Sequence, residues 1–464
     1  MSQFQYKYFS FFIFIIAMLL SCSESDIMEG DKENIVANKS PNILVILADD
    51  LGYGDIQSFN TGSEAVTPEM DKLVEGGVRF TNAYVTSSIC GPSRAALMTG
   101  KYPQRFGFED NIGPFRQSAE TVPGIPLNEK MLPEYLKDAG YATGLIGKWH
   151  LGEEDVNMYP NKRGFDEFFG FLGGASGYEI GNNPQRNLLR NGIPVTQEDE
   201  YLTDAFGREA VHFIENHKDE KFFLYLSFNA VHTPLKASEN YLEKFSGIAD
   251  EKRRTALAMN YAMDVNIGKV MNKLNELGLK KETLVIFYSD NGGYPGKNYS
   301  DNFPFRGGKT EMWEGGIRIP FAIQWEGEIV PNTIFTKPVS ALDILPTILS
   351  LNTNVGNVFN EFDGVDLLPF IQGEKAEAPH STLFWRQNKQ WAIREGDWKL
   401  IKPKGQDEME LYNLSVDKEE QNNIASQNAN RVNAMLAKHE QWTTKLMQPQ
   451  WGWQKGIDGN YKKE

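Results

Sequence analysis

The chain has 464 residues, 41% of them hydrophobic and 12% aromatic, enough to bury a large core and to form one large domain with a smaller one beside it. A formal net charge of −15 excludes a broad electrostatic attraction to nucleic acid or to an acidic polymer, so any bound anion must be held by local cations. Only Cys22 and Cys90 carry thiols, and each has a separate explanation, so no structural disulfide is expected.

In chain order, Lys7 and the apolar run from Phe9 to Leu20 have the layout of a secretory signal over 1–21, too short for a permanent membrane span. Leu19-Leu-Ser-Cys22 resembles a bacterial lipobox. That resemblance implies a lipoprotein of the cell envelope, in the outer membrane or periplasm, whose Cys22 carries the lipid (palmitate among its chains). An ordinary cleaved signal with a coincidental cysteine is the other reading. Residues 22–40 would be the lipidated start and a flexible tether, since they are polar, acidic and without periodicity.

From Pro41 onward, apolar runs of strand length alternate with amphipathic segments of helix length, which predicts an α/β fold around a buried, mostly parallel sheet sandwiched by helices. Predicted strands cover 42–48, 78–85, 141–147, 221–228 and 283–289. Predicted helices cover 67–75, 132–139, 204–216, 255–277 and 343–350, with Gly140 and Gly278 as stops. Segment 298–308, rich in Gly, Pro, Asn and aromatics, reads as a loop over the strand ends. Past residue 378 the pattern changes to short strands at 383–386, 390–394, 398–401 and 410–412, then a helix at 428–446. This predicts a C-terminal α+β subdomain over 379–464, a small antiparallel sheet plus helix, after a main domain over 41–378. The aromatic tail, 447–464, packs back or lines the cleft.

The residues just past these strands carry the chemistry, because ligands of open α/β sheets bind beyond the carboxyl ends of the strands. Asp49 and Asp50 come after the first run, Cys90 after the second, Lys148 and His150 after the third, His232 after the fourth, and Asp290 with Asn291 after the fifth. Asp49, Asp50, Asp290 and Asn291 offer oxygen ligands to a hard divalent cation, calcium or magnesium by ligand type, and three carboxylates in one crevice repel without one. No His- or Cys-rich spacing suits zinc. Cys90 stands on a tight turn in Ser88-Ile-Cys-Gly-Pro-Ser-Arg-Ala-Ala-Leu-Met-Thr-Gly100, with Ser93 placed to cap the next helix and Arg94 one turn from the sulfur. A buried inert thiol is the alternative for Cys90. Arg94, Lys148 and Lys309 are candidate anion clamps, although Lys309 on composition alone reads as a solvated surface charge, and His212, His217, His380 and His439 are expected to be structural or solvated.

The Cys90 segment resembles the signature of the formylglycine-dependent (type I) sulfatases, Cys-x-Pro-Ser-Arg-x-x-Leu-x-Thr-Gly, at every specified position. Ala48-Asp-Asp-Leu-Gly-Tyr-Gly54, Gly147-Lys-Trp-His-Leu-Gly152, Val231-His-Thr-Pro234, Ser289-Asp-Asn-Gly-Gly293 and Gly307-Gly-Lys309 extend the resemblance over 41–325. It implies the alkaline-phosphatase-like fold and a hydrolase of sulfate esters, with 41–378 as its catalytic domain. It also implies one Ca2+ ion on Asp49, Asp50, residue 90, Asp290 and Asn291, and conversion of Cys90 to formylglycine by a maturation enzyme. In the roles so implied, the aldehyde hydrate attacks sulfur, Arg94 holds the hydrate and Lys148 contacts the sulfate. His232 with Lys309 serves the leaving oxygen, and His150 helps expel sulfate.

The expected substrates are sulfated polysaccharides or oligosaccharides, with algal glycans such as ulvan or carrageenan favoured for degradation. Asn111, Arg116, Tyr178, Glu179, Arg186 and Arg306 lie in segments that could meet sugar. The rival readings are a phosphonate or phosphate ester hydrolase on the same scaffold, and a catalytically idle glycan-binding lipoprotein.

Overall fold

Asn42–Ala48 is buried at every position, as a continuous Ile/Leu/Val run demands when both faces of a strand are covered. In the computed structural model, which describes residues 40–181, 188–352, 358–453 and 462–463, this strand is the centre of a ten-stranded sheet. The signal, Cys22 and the tether lie outside the described residues. Across the sheet the order is Thr333–Phe335, Val78–Phe80, Phe321–Gln324, Thr283–Ser289, Asn42–Ala48, Phe222–Ser227, Ala142–Lys148, Glu167–Phe171, Leu189–Arg190 and Ile193–Pro194. The five strands from Thr283–Ser289 to Glu167–Phe171 are mutually parallel, and antiparallel pairings occur only outside them.

Successive side chains of a strand point to opposite faces. Ile43, Val45 and Leu47 accordingly join one core with helices Cys90–Thr99, Leu132–Asp138 and Ile344–Ser350. Leu44, Ile46 and Ala48 join the other, with Pro68–Glu75, Leu202–Asn216 and Glu251–Glu276. Gly147, at φ 114°, lets the Ala142–Lys148 strand approach its neighbour so closely that a Cβ would lie 1.8 Å from the Ser227 carbonyl oxygen.

The predicted strand at 78–85 is in fact two. Val78–Phe80 joins the central sheet, whereas Ala83–Tyr84 pairs with Val339–Ser340 outside it. Asn82 turns the chain between them, its side-chain amide donating to the Thr336 carbonyl at 2.7 Å. The C-terminal sheet is an antiparallel meander of Thr382–Gln387, Gln390–Glu395, Trp398–Lys402 and Glu410–Asn413. Helix Ala429–Thr443 closes a small core on it through Val432 and Met435. Of the aromatic tail, Trp451–Gly452 pairs antiparallel with Phe115–Arg116. Among the described residues no helix is long and apolar enough to cross a membrane.

The four histidines set aside have structural surroundings or lie on the surface. His217 bridges Glu167 and Glu220, His380 contacts Asp343 at 2.7 Å, His439 stacks on Trp391 and His212 is exposed.

One buried acid sets a pH dependence of stability. Asp264 of Glu251–Glu276 accepts hydrogen bonds from the Glu69 and Met70 amides at 3.0 and 2.8 Å, and its other oxygen is buried without a partner. Burial pushes its carboxyl up to about 7, although those two bonds oppose the rise. The folded protein therefore holds this proton more tightly than the unfolded chain, and the associated stability is lost as pH rises from about 4 through 7. Asp264→Asn mimics the protonated form. Its melting temperature is expected to exceed the parent's by a few degrees above pH 8, by less near pH 5 and by nothing below about pH 4, read by thermal denaturation.

Candidate active site

The site forms where parallel strands end together. The Ala48–Ser289 register places Asp49 beside Asp290, and the Asp290 amide donates to the Ala48 carbonyl at 3.0 Å. Two strands away, Lys148 closes Ala142–Lys148. His232 comes after Phe222–Ser227 on a turn that Tyr178 holds, through hydroxyl bonds to the carbonyls of Asn229 and His232. Asn298 donates to the Asp50 and Val231 carbonyls, so the 298–308 loop closes against these strand ends.

Cys90 begins the Cys90–Thr99 helix behind an extended Ile89. Ser93 does not cap this helix as expected. It lies inside the first turn and its hydroxyl donates back to the Ser87 carbonyl at 2.9 Å. Cys90 Sγ lies 3.1 Å from Lys309 Nζ, 3.4 Å from Asp49 Oδ1 and 3.8 Å from Asp50 Oδ1. Burial, then the Asp290 charge, pushes its thiol well above the usual cysteine range despite Lys148 and Lys309. As a cysteine it is therefore a protonated, weak nucleophile.

Three acids meet three cations. Asp49 Oδ2 takes Lys148 Nζ at 2.6 Å, Asp50 takes Lys309 Nζ at 2.6 Å, and Asp290 Oδ2 takes Arg94 at 2.8 Å. Arg94 is fully buried and also donates to Ser227 Oγ and the Lys148 carbonyl. Burial works against charge on Asp49 and Asp50, but Lys148 for the one and Lys309 for the other, each with His232, hold both carboxyls below the usual range. The mutual repulsion expected of these carboxylates is thus already answered by side chains, and the case for a metal must rest on the donor set.

That donor set fits a hard cation. Ligating atoms of Asp49, Asp50, Cys90 and His232 all lie within 4.8 Å of one another. Asn291 donates its amide to Asp50 Oδ1 at 2.8 Å while its own Oδ1 is buried with no partner, an oxygen that a cation would satisfy. Asp290 stands outside that group of four, bound to Arg94 and accepting from the Asp50 amide.

The two histidines differ in setting. His232, partly exposed, has Nδ1 2.7 Å from the Thr233 carbonyl, which assigns the proton to Nδ1 and leaves Nε2, 3.7 Å from Asp50 Oδ2, as the exchanging atom. His150 adopts φ 62° against Gly174 and is buried, and Nδ1 has no partner. Burial first, then Lys148, Arg94 and Lys309, pushes its pKa well below the usual value, so it is neutral and able to accept a proton.

The C-terminal sheet holds the Lys309 segment, and this the sequence did not foretell. Thr310, a β-branched residue at φ 75°, is tied by its amide to the Ser88 carbonyl, by its carbonyl to Gln390 Nε2 and by Oγ1 to Lys404 Nζ. Glu314 and Glu420, both buried, share the buried ammonium of Lys399 at 2.9 and 2.8 Å. Nothing in residue type marked these contacts, since each partner lies far away in sequence.

The residues expected to meet sugar separate. Tyr178 is buried under the His232 turn and is not a sugar contact. Arg306 is half-buried, stacked on Trp313 and bonded to Tyr412 and to the Glu420 carbonyl. Arg116 is buried and paired with Glu154. Asn111 Oδ1 accepts the Gly91 amide at 2.9 Å beside Cys90, and Glu179 is exposed opposite Lys236. Arg186 lies outside the described residues.

The Sulfatase family model matches residues 41–354, and the model described as N-sulphoglucosamine sulphohydrolase, C-terminal, matches 307–445. N-acetylgalactosamine-6-sulfatase of Rattus norvegicus is 33% identical over 395 residues, covering 78% of this chain and 71% of that protein. The crystal structure of Ps i-CgsB superposes with a TM-score of 0.83 at 36% identity, over 90% of this chain and 96% of the other. The same protein in complex with k-i-k-neocarrahexaose gives a TM-score of 0.82, at the same identity and coverage. PsFucS1 sulfatase from Pseudoalteromonas sp. gives 0.73 at 26% identity, over 88% of this chain and 92% of that one.

Proposed function

This chain belongs to the sulfatase family and hydrolyses sulfate esters; from that premise we propose that its substrates are sulfated oligosaccharides, with algal glycans such as carrageenan or ulvan favoured, cleaved through a formylglycine made from Cys90 and one calcium ion. The observation that carries the substrate is the 36% identity, over 90% of the chain, to a protein crystallised with a neocarrahexaose.

Asp49, Asp50, residue 90, Asp290 and Asn291 would hold the ion, which supplies a Lewis acid that favours an ionised hydroxyl beside it. Oxidation of Cys90 supplies an aldehyde whose hydrate offers one hydroxyl to attack sulfur and a second to drive sulfate out again. Around these, Arg94 holds the hydrate and Lys148 contacts the sulfate, the two cations also pairing with Asp290 and Asp49. Lys309, 3.1 Å from the residue 90 side chain, stabilises charge developing on the bridging oxygen. His232 gives the departing alcohol a proton from Nε2, oriented by its Nδ1 bond to Thr233. His150, kept neutral, takes the proton from the remaining hydroxyl.

Release of sulfate from a panel of defined sulfated oligosaccharides tests the substrate. Turnover confined to small aryl or choline sulfates would overturn the glycan reading. Chelation tests the ion without recourse to activity: stripped protein is expected to melt several degrees lower and to recover with calcium, because a ligand bound only by the folded state stabilises it by mass action. Equal melting with and without the ion would remove it from the account.

The N-terminal signal and Leu19-Leu-Ser-Cys22 support export and lipid anchoring in the cell envelope. Loss of detergent-phase partitioning in Cys22→Ala is the expected result, and unchanged partitioning would reject the anchor.

A further inference from the structure

Beyond the pocket, three separate segments meet at Asp110. Its carboxylate accepts from the Trp453 amide at 3.3 Å and the Asn111 amide at 2.8 Å, and the Asn388 side chain hydrogen-bonds to it. The indole of Trp451 anchors the tail by donating to the Asp110 carbonyl and by packing edge-on against Phe108. Trp453, two residues on, is instead 63% exposed, so a large part of its ring is open to contact at this corner.

Two short chains of contact tie this corner to Cys90. Asn111 caps the Gly91 amide, and Lys404, whose charge favours the ionised form of Asp110, reaches Thr310 Oγ1 at 3.3 Å beside Lys309. Lys404 and Lys389, the latter in the same hairpin turn as Asn388, are both exposed. Lys404 thus carries a cation to the same corner at which the Trp453 amide is held by Asp110.

We propose that Trp453, Lys404, Lys389 and Asn388 form a carbohydrate subsite for the sugar adjacent to the one losing its sulfate. The indole covers the C–H face of that ring, the lysines pair with a second sulfate or a carboxylate on it, and Asn388 takes a hydroxyl. The subsite rests on the oligosaccharide reading above and adds to it a preference for substrates with an anionic neighbour.

The test compares kcat/KM on 4-nitrophenyl sulfate with kcat/KM on whichever is turned over fastest among k-i-k-neocarrahexaose, an ulvan tetrasaccharide and a chondroitin sulfate tetrasaccharide. Trp453→Ala and Lys404→Ala are each expected to lower the oligosaccharide-to-aryl ratio about tenfold, mainly through KM, with Trp453→Phe retaining most of it. For Lys404→Ala the salt dependence of KM should also flatten. An unchanged ratio, or equal loss on both substrates, would overturn the subsite and leave the glycan reading standing. If the parent enzyme cleaves the aryl ester but none of the three oligosaccharides, both fall together.

Discussion

Cys90→Ala is expected to abolish sulfate-ester hydrolysis, a loss of at least about 10⁴-fold in kcat, with a melting temperature within a few degrees of the parent's. The side chain is buried among Asp49, Asp50 and Lys309, and burial together with Asp290 keeps its thiol protonated. Such a thiol is a poor nucleophile, and a sulfur ester on it would have no second hydroxyl from which to expel sulfate. On the proposed reading, turnover therefore comes from a modified residue 90. The measurements are kcat on 4-nitrophenyl sulfate and the mass of the Cys90 peptide in the same preparation. Activity should rise in proportion to the fraction of chains carrying the aldehyde, and an alanine variant that still turns over would overturn the account.

Lys309→Ala is expected to lower kcat/KM by about 10²–10³-fold, the range found when one donor to a developing oxyanion is removed. It also leaves Asp50 without the ammonium that lies 2.6 Å away in a buried setting. Removing one partner of a buried ion pair costs about 3–5 kcal/mol, so the variant in chelator should unfold at markedly lower denaturant. Added calcium should recover part of that stability, because the ion would meet the charge that Lys309 left, yet it should not restore kcat/KM. Lys309→Arg should fail to rescue, since a planar guanidinium cannot take the place of a compact ammonium between Asp50 and Cys90. A variant with parental kcat/KM would remove Lys309 from the chemistry.

The residues at the strand ends could be read before any fold was known, because a buried parallel strand is a continuous apolar run and whatever polar residue ends it emerges at the sheet's edge. Asp49, Lys148 and Asp290 show this directly. Misreadings came where local sequence is compatible with two outcomes. Ser93 has the residue type of a cap, but the helix had already begun at Cys90. Tyr178 has the residue type of a ligand contact, but the His232 turn is packed on its hydroxyl.

By itself, the sequence determined the sheet's central strands, the chemical identity of the groups at their ends and the family to which the chain belongs, since each of these is written in runs and motifs of adjacent residues. Only the tertiary structure decided that three cations balance three acids, that Asn291 keeps an oxygen unpartnered, that the C-terminal sheet grips the Lys309 loop, and that Trp453 stands exposed with its amide held by Asp110. Pairing, desolvation and exposure are properties of distance in space, and residues separated by a hundred or more positions reveal none of them until the chain has closed on itself.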